Sequence, residues 1–251
     1  MKKMAKQGKT LAAVSGILLF VALFFFAAGQ VRTRMTLAGG NADRPQSPTV
    51  IIDPGHGGMD GGALGAGGTV EKDINLAISL QLRDFLTVAG YRVVMTRDSD
   101  ISIYDEGTEG VRAQKRSDMH NRLKIMESVP GAVVVSIHQN QFEKPQYSGA
   151  QMFYGKKDEQ SKMLAENLQA AFRRLQPDNK REVKPAGKEL YLLWECENPI
   201  VLVECGFISN PEECENLCTP DYQRQAAFTV LAGLLEASNG AGQAGGEGGG
   251  A

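Results

Sequence analysis

The sequence predicts an α/β protein, a sandwich built on a largely parallel sheet. Short β-branched runs alternate with amphipathic helical patterns between residues 49 and 237. Two of the strands, 132–137 and 200–203, read as apolar runs, the mark of central strands covered on both faces. Self-similarity at a period of about 20–50 residues, which would indicate a solenoid or propeller, is not seen.

The elements follow in order. Residues 49–53 form the first strand. Residues 71–89 read as a helix, with Ile74, Ala77, Ile78, Leu82, Phe85 and Leu86 on one face and Gly90 as its stop. A strand at 91–96 leads into a polar loop, 98–111, and a helix at 112–128 that offers Leu123, Ile125 and Met126 for packing. After the strand 132–137 come a short strand at 151–154 and an amphipathic helix at 158–175 carrying Met163, Leu164, Leu168, Ala171, Phe172 and Leu175. Residues 184–188 read as a loop and 190–193 as a short strand. The buried strand 200–203 and a helix at 220–237 complete the domain.

The two ends differ in kind from this domain. Residues 1–10 are basic, with Lys2, Lys3, Lys6 and Lys9, and residues 11–29 are free of charge. A basic stretch before an apolar run is an export signal. The run lies at the border between a signal-peptide core and a membrane span, which needs about 20 residues. Ala27, Ala28 and Gly29 supply a place for cleavage, so an uncleaved anchor and a cleaved signal are both open. Either reading sets the rest of the chain outside the cytoplasm, in contact with the membrane or the export machinery. Residues 30–47 are a linker, 48–237 the single large domain, and 238–251 a Gly-rich tail that cannot bury a core and is expected to be disordered.

Composition narrows the function. With 42% hydrophobic and 22% charged residues, the chain suits one globular domain of ordinary size. A net charge of −2 gives no basic field that would favour nucleic acid. Four cysteines, Cys196, Cys205, Cys214 and Cys218, are too few for a disulfide scaffold and read as reduced, mostly buried thiols. Cys214 and Cys218 stand four apart on a helical pattern, but no second pair lies nearby to complete a structural zinc site.

The chemistry gathers at strand ends, where open α/β sheets bind their ligands. The first strand ends at Asp53, just before Pro54-Gly55-His56-Gly57-Gly58. The strand 132–137 runs into His138, and the strand 200–203 runs into Glu204. Glu71 stands at a helix start facing the same edge. Two histidines and one glutamate form a known ligand set for catalytic zinc, which keeps a further position for water. His56, Glu71 and His138 are the candidate ligands, and Glu204 is the candidate general base. Each also has a plainer explanation. A histidine after a strand is commonly a hydrogen-bonded structural group, and Glu71 suits the free N–H groups of a helix start. Glu204 is harder to explain away, because a carboxylate at a buried strand end is costly unless it is paired or metal-bound.

The stretches DPGHGG, EKDINL, SIHQN and VLVECGFISNPEE, in this order between about 49 and 235, closely resemble the zinc-dependent N-acetylmuramoyl-L-alanine amidases of the Amidase_3 type. The resemblance implies a three-layer α/β/α sandwich with a largely parallel central sheet. It implies hydrolysis of the amide between the lactyl group of N-acetylmuramic acid and the L-alanine of the stem peptide, with a peptidoglycan glycan strand and stem peptide as partners. His56, Glu71 and His138 fall on the family's Zn2+ ligand positions and Glu204 on its catalytic glutamate. Arg116 and Asn121 resemble a structural Arg…Asn helix motif. The short architecture resembles the germination-specific amidases of spore-forming bacteria, which implies muramic δ-lactam formation in the spore cortex. Whether an activating partner protein is needed stays open. Two positions depart from the family pattern: Gln141 replaces a small residue, and His120 replaces an alanine and reads as a polar helix residue without a metal role. Residues 139–149 are too short for an autoinhibitory helix, so an open groove is expected. A zinc peptidase acting on a stem-peptide bond and a non-catalytic wall-binding relative are the competing functions.

Overall fold

The computed structural model describes residues 47–244. The basic and apolar segments at 1–29 and nearly all of the linker lie outside the described residues, as does the tail from 245. No helix among the described residues is long and apolar enough to cross a membrane.

Six strands form one sheet. They are β1 (Thr49–Pro54), β2 (Arg92–Met95), β3 (Val133–Asn140), β4 (Gln151–Tyr154), β5 (Lys184–Pro185) and β6 (Ile200–Phe207). Their spatial order is β2-β1-β3-β6-β4-β5. β2, β1, β3 and β6 are mutually parallel, and β4 joins β6 antiparallel, with β5 parallel to β4 at the edge. The α-helices among the described residues are α1 (Glu71–Val88), α2 (Val111–Met126), α3 (Gln160–Leu175), α4 (Tyr191–Glu195), α5 (Pro211–Leu217) and α6 (Pro220–Ala244).

The pleat splits the apolar strands between two cores. Val50, Ile52, Val135, Ile137, Val201 and Val203 face α1, α3 and α6, meeting Ile78, Leu82, Leu168, Phe172 and Val230. Ile51, Val134, Ile200 and Leu202 face the other way, onto Met126 of α2 and Leu192 and Leu193 of α4. Helices on both faces of a mostly parallel sheet make the expected three-layer α/β/α sandwich.

Several elements differ from the sequence reading. Residues 190–193 do not form a strand but enter α4. Leu192 and Leu193 are both buried in one core, which the period of two of a strand would forbid. The expected loop at 184–188 contains the two-residue edge strand β5, where Pro185 is tolerated because its missing N–H faces no further strand. β3 and β6 pair further than the apolar runs alone suggest, so that His138 and Glu204 are strand residues. Ser136 interrupts the apolar run of β3, and it is buried because its hydroxyl donates to Asp53 Oδ2 at 2.7 Å. The last helix, expected to end at Ala237, continues to Ala244.

Candidate active site

His56 sits on the turn that follows β1. Its φ of 61° makes it the one non-glycine residue with positive φ among the described residues, a conformation that costs on the order of 1 kcal/mol or more. Two buried arginines hold that turn by its carbonyls. Arg97 donates to Pro54 O at 2.9 Å and Gly55 O at 2.9 Å. Arg122 donates to Pro54 O at 2.8 Å and His56 O at 2.5 Å. Three consecutive carbonyls thus point inward to guanidinium groups rather than to water.

Asp53 compensates the charge of Arg122 at 2.6 Å, with Arg122 2% and Asp53 0% exposed. Burial alone would raise the Asp53 carboxyl. Arg122 and the hydroxyls of Thr96 and Ser136 outweigh that and hold it below the usual carboxylate range. Asp118 takes the Nε of Arg122 from one turn earlier on α2, at 2.6 Å. The structural arginine of this helix is therefore Arg122, whereas Arg116, assigned that part by resemblance, is exposed. Asn121 is structural as expected, donating to Ile103 O and Asp105.

Glu71 opens α1 and lies at the centre of the site. His56 Nε2 is 3.2 Å from one of its oxygens and His138 Nδ1 is 3.0 Å from the other. The two imidazole rings stand edge-to-face, 4.9 Å between centroids. Ligand atoms from His56, Glu71 and His138 all lie within 4.8 Å of one another, so these residues could hold a metal ion. Burial would raise the Glu71 carboxyl, but hydrogen bonds from both histidines hold it far below the ordinary range. Glu71 also accepts from the N–H groups of Ala63 and Gln139, at 2.8 and 3.1 Å. Asp60 accepts from His56 Nδ1 at 2.9 Å and pairs with Lys115 at 2.8 Å. Burial opposes charge on His56, yet Asp60 and Glu71 raise its pKa to about 9.

Two glycines are required by close approach. A Cβ on Gly55 would lie 2.2 Å from His138 Cε1. A Cβ on Gly62, whose φ is +70°, would lie 2.5 Å from Glu71 Oε2.

Glu204 stands directly opposite His138 in the β3–β6 register. Its Oε2 is buried and finds no hydrogen-bond partner, although the residue as a whole is only half-buried. Burial, then the charge of Glu71, pushes its pKa up to about 8. A carboxyl raised into the neutral range next to a metal-binding cluster suits proton transfer.

The structure thus brings together all four residues singled out in the sequence. His120 is not among them. It is exposed and lies 5.8 Å from the ring of Tyr191. Gln141 is exposed on the rim and approaches Leu64 O at 3.4 Å. Cys196, Cys205 and Cys214 are buried and in no disulfide, while Cys218 is exposed. Sequence reasoning missed Asp60, Arg97 and Arg122. The Asp four residues after His56 and the Asp118–Arg122 spacing on one helix face were the available signals.

Comparison with known proteins identifies the family and the fold. The germination-specific N-acetylmuramoyl-L-alanine amidase of Bacillus subtilis is 37% identical over 186 residues, covering 74% of this chain and 78% of that protein. The solved structure of the CwlD amidase from Clostridioides difficile, in complex with the GerS lipoprotein, is similar with a TM-score of 0.74 at 40% identity, covering 77% of this chain and 99% of that one. The amidase AmiC2 of Nostoc punctiforme superposes with a TM-score of 0.65 at 30% identity, over 76% and 97% of the two chains. The Amidase_3 family model, described as N-acetylmuramoyl-L-alanine amidase, matches residues 50–236. The chain belongs to this family of hydrolases, which act on the muramoyl-alanine amide of peptidoglycan.

Proposed function

We propose that the chain is a zinc-dependent amidase in which His56, Glu71 and His138 hold the metal and Glu204 is the general base. The observation that carries this is the pairing of a three-residue donor cluster with a buried carboxylate oxygen that has no protein partner. The donor set, two imidazoles and one carboxylate, fits zinc. Zinc bound there supplies a Lewis acid that lowers the pKa of water towards about 7 and polarises the scissile carbonyl.

The chain's own residues do the rest. Asp60 fixes the His56 ring through Nδ1, leaving Nε2 directed at the cluster. Glu204 takes the proton of the attacking water on its carboxylate. It then returns that proton to the alanine nitrogen as the amide bond breaks. The products are a lactyl carboxylate on the glycan and a free amino terminus on the peptide.

The likeness to a germination-specific amidase supports a role in the spore cortex, in muramic δ-lactam formation and germination. The substrate lies outside the cytoplasmic membrane, which fits the reading of residues 1–29 as an export signal or anchor. The lipoprotein bound to the similar clostridial amidase supports an extracytoplasmic lipoprotein as the partner of this chain too.

Digestion of purified peptidoglycan, with and without a chelator, followed by labelling of new amino termini tests the reading. N-terminal L-alanine appears only when zinc is present. New termini at other residues, or undiminished release under chelation, would overturn it.

A further inference from the structure

Beside the catalytic residues, on the far side of β6, lies a groove of about 350 Å³ between β4, β5 and the loop after β3. The register leads into it. Glu204 lies opposite His138 on one side and opposite Gln151 of β4 on the other. Arg181 Nη1 donates to the Gln151 side chain at 3.2 Å, and its Nε donates to Ser148 O at 2.7 Å.

The guanidinium of Arg181 is stacked over Phe207, 4.3 Å from the ring centroid, and lies 5.8 Å from that of Tyr147. Phe142, half-exposed, meets Tyr147 edge-to-face at 4.9 Å. Among the described residues Arg181 makes no ion pair. Its chain neighbour Glu182 is taken by Arg173 at 2.8 Å. The carboxylate whose charge Arg181 feels is that of Glu213, whose oxygens already accept from the N–H groups of Gly149 and Phe207. Lys184, at the outer end over Phe153, adds a second cation without an ion pair. A half-buried cation held in place by two hydrogen bonds and two rings, yet making no ion-pair contact among the described residues, is a preorganised carboxylate receptor.

We infer that this groove receives the stem peptide and that Arg181 binds a free carboxylate on the residue that follows the L-alanine. The assignment rests on the amidase reading above. The spacing agrees. Neighbouring strands are about 4.8 Å apart, so Gln151 is one strand from the proposed base and Arg181 just beyond it. A peptide leaving the scissile nitrogen advances about 3.3 Å per residue, which brings the second residue's carboxylate to that distance. Arg181 is then a specificity-determining residue. An amide in place of this carboxylate would offer the guanidinium no charge to pair with.

The test uses glycan strands whose stem peptides carry either the free carboxylate or its amide at the second residue. The wild-type protein cleaves the carboxylate form with a KM about 10- to 100-fold lower. Arg181→Met keeps the apolar contact over Phe207 and removes the charge. It raises KM for the carboxylate form to that of the amide form, with kcat and zinc content unchanged, and Arg181→Lys restores part of the preference. Equal cleavage of both substrates by the wild type, or a preference that survives in Arg181→Met, overturns the assignment. So does an equal slowing on both substrates, which marks a structural role only. Normal turnover by a Glu204 variant would defeat the base assignment but leave this substrate ratio standing.

Discussion

Glu204 and His138 face each other on adjacent parallel strands, and Oε2 of Glu204 is buried without a protein hydrogen-bond partner. The pair joins a candidate base to a candidate ligand at fixed strand spacing. Replacing Glu204 by Gln keeps the shape and removes the basicity. We expect turnover on peptidoglycan to fall about 10²- to 10⁴-fold while one zinc per chain is retained. Metal analysis alongside the rate checks this, and a near-normal rate would end the assignment.

His138→Ala and Glu71→Ala remove donors from the cluster itself. Both variants lose zinc as well as activity. Glu71→Ala also frees the N–H groups of Ala63 and Gln139 that the carboxylate now accepts from, so its melting temperature falls further than that of His138→Ala. Thermal melts in the presence of chelator separate the two effects.

Asp60 offers a milder test. It contacts His56 Nδ1 at 2.9 Å without belonging to the cluster. Asp60→Ala lowers zinc affinity about 10- to 100-fold, by analogy with other carboxylates behind metal-bound histidines. Competition titration against a chromophoric chelator measures it, and unchanged affinity would show that the ring needs no such support.

Gly55→Ala adds a single methyl group to the face of the His138 ring, at a calculated approach of 2.2 Å. The φ of Gly55 is not in the left-handed region, so the backbone tolerates alanine. The imidazole must therefore move. A folded protein with near-native circular dichroism and strongly reduced zinc binding is expected. Full zinc occupancy would show that the ring relaxes without loss.

Asp53→Asn breaks the buried pair with Arg122 and destabilises the fold by about 3 kcal/mol at neutral pH. The folded-state pKa of Asp53 is depressed, so its contribution is present above the unfolded value near 3.8 and is lost as pH falls through the folded one. Denaturant melts should show a constant gap between wild type and variant at pH 5–7 that narrows at more acid pH. A gap that widens on acidification would contradict the sign.

Much of this was legible in the residues themselves. The β-branched runs ending in His138 and Glu204, and the helix start at Glu71, were readable because apolar periodicity changes sharply at each. Two things were hidden for physical reasons. α2 is polar along almost its whole length, so its apolar periodicity does not separate the buried Arg122 from the exposed Arg116, and only the i,i+4 spacing from Asp118 marks Arg122. The segment around Leu192 and Leu193 is too short for either period to declare itself, and only the core it packs on decides for a helix.

The inward-pointing carbonyls of Pro54, Gly55 and His56 have a consequence for how the protein acquires its metal. Two guanidinium groups secure that turn through protein contacts alone, so the fold itself holds the proposed ligand His56 in place. Metal exchange then requires no refolding. The stripped protein can be reloaded with cobalt under native conditions, and the visible spectrum of the substituted enzyme reports the coordination number directly.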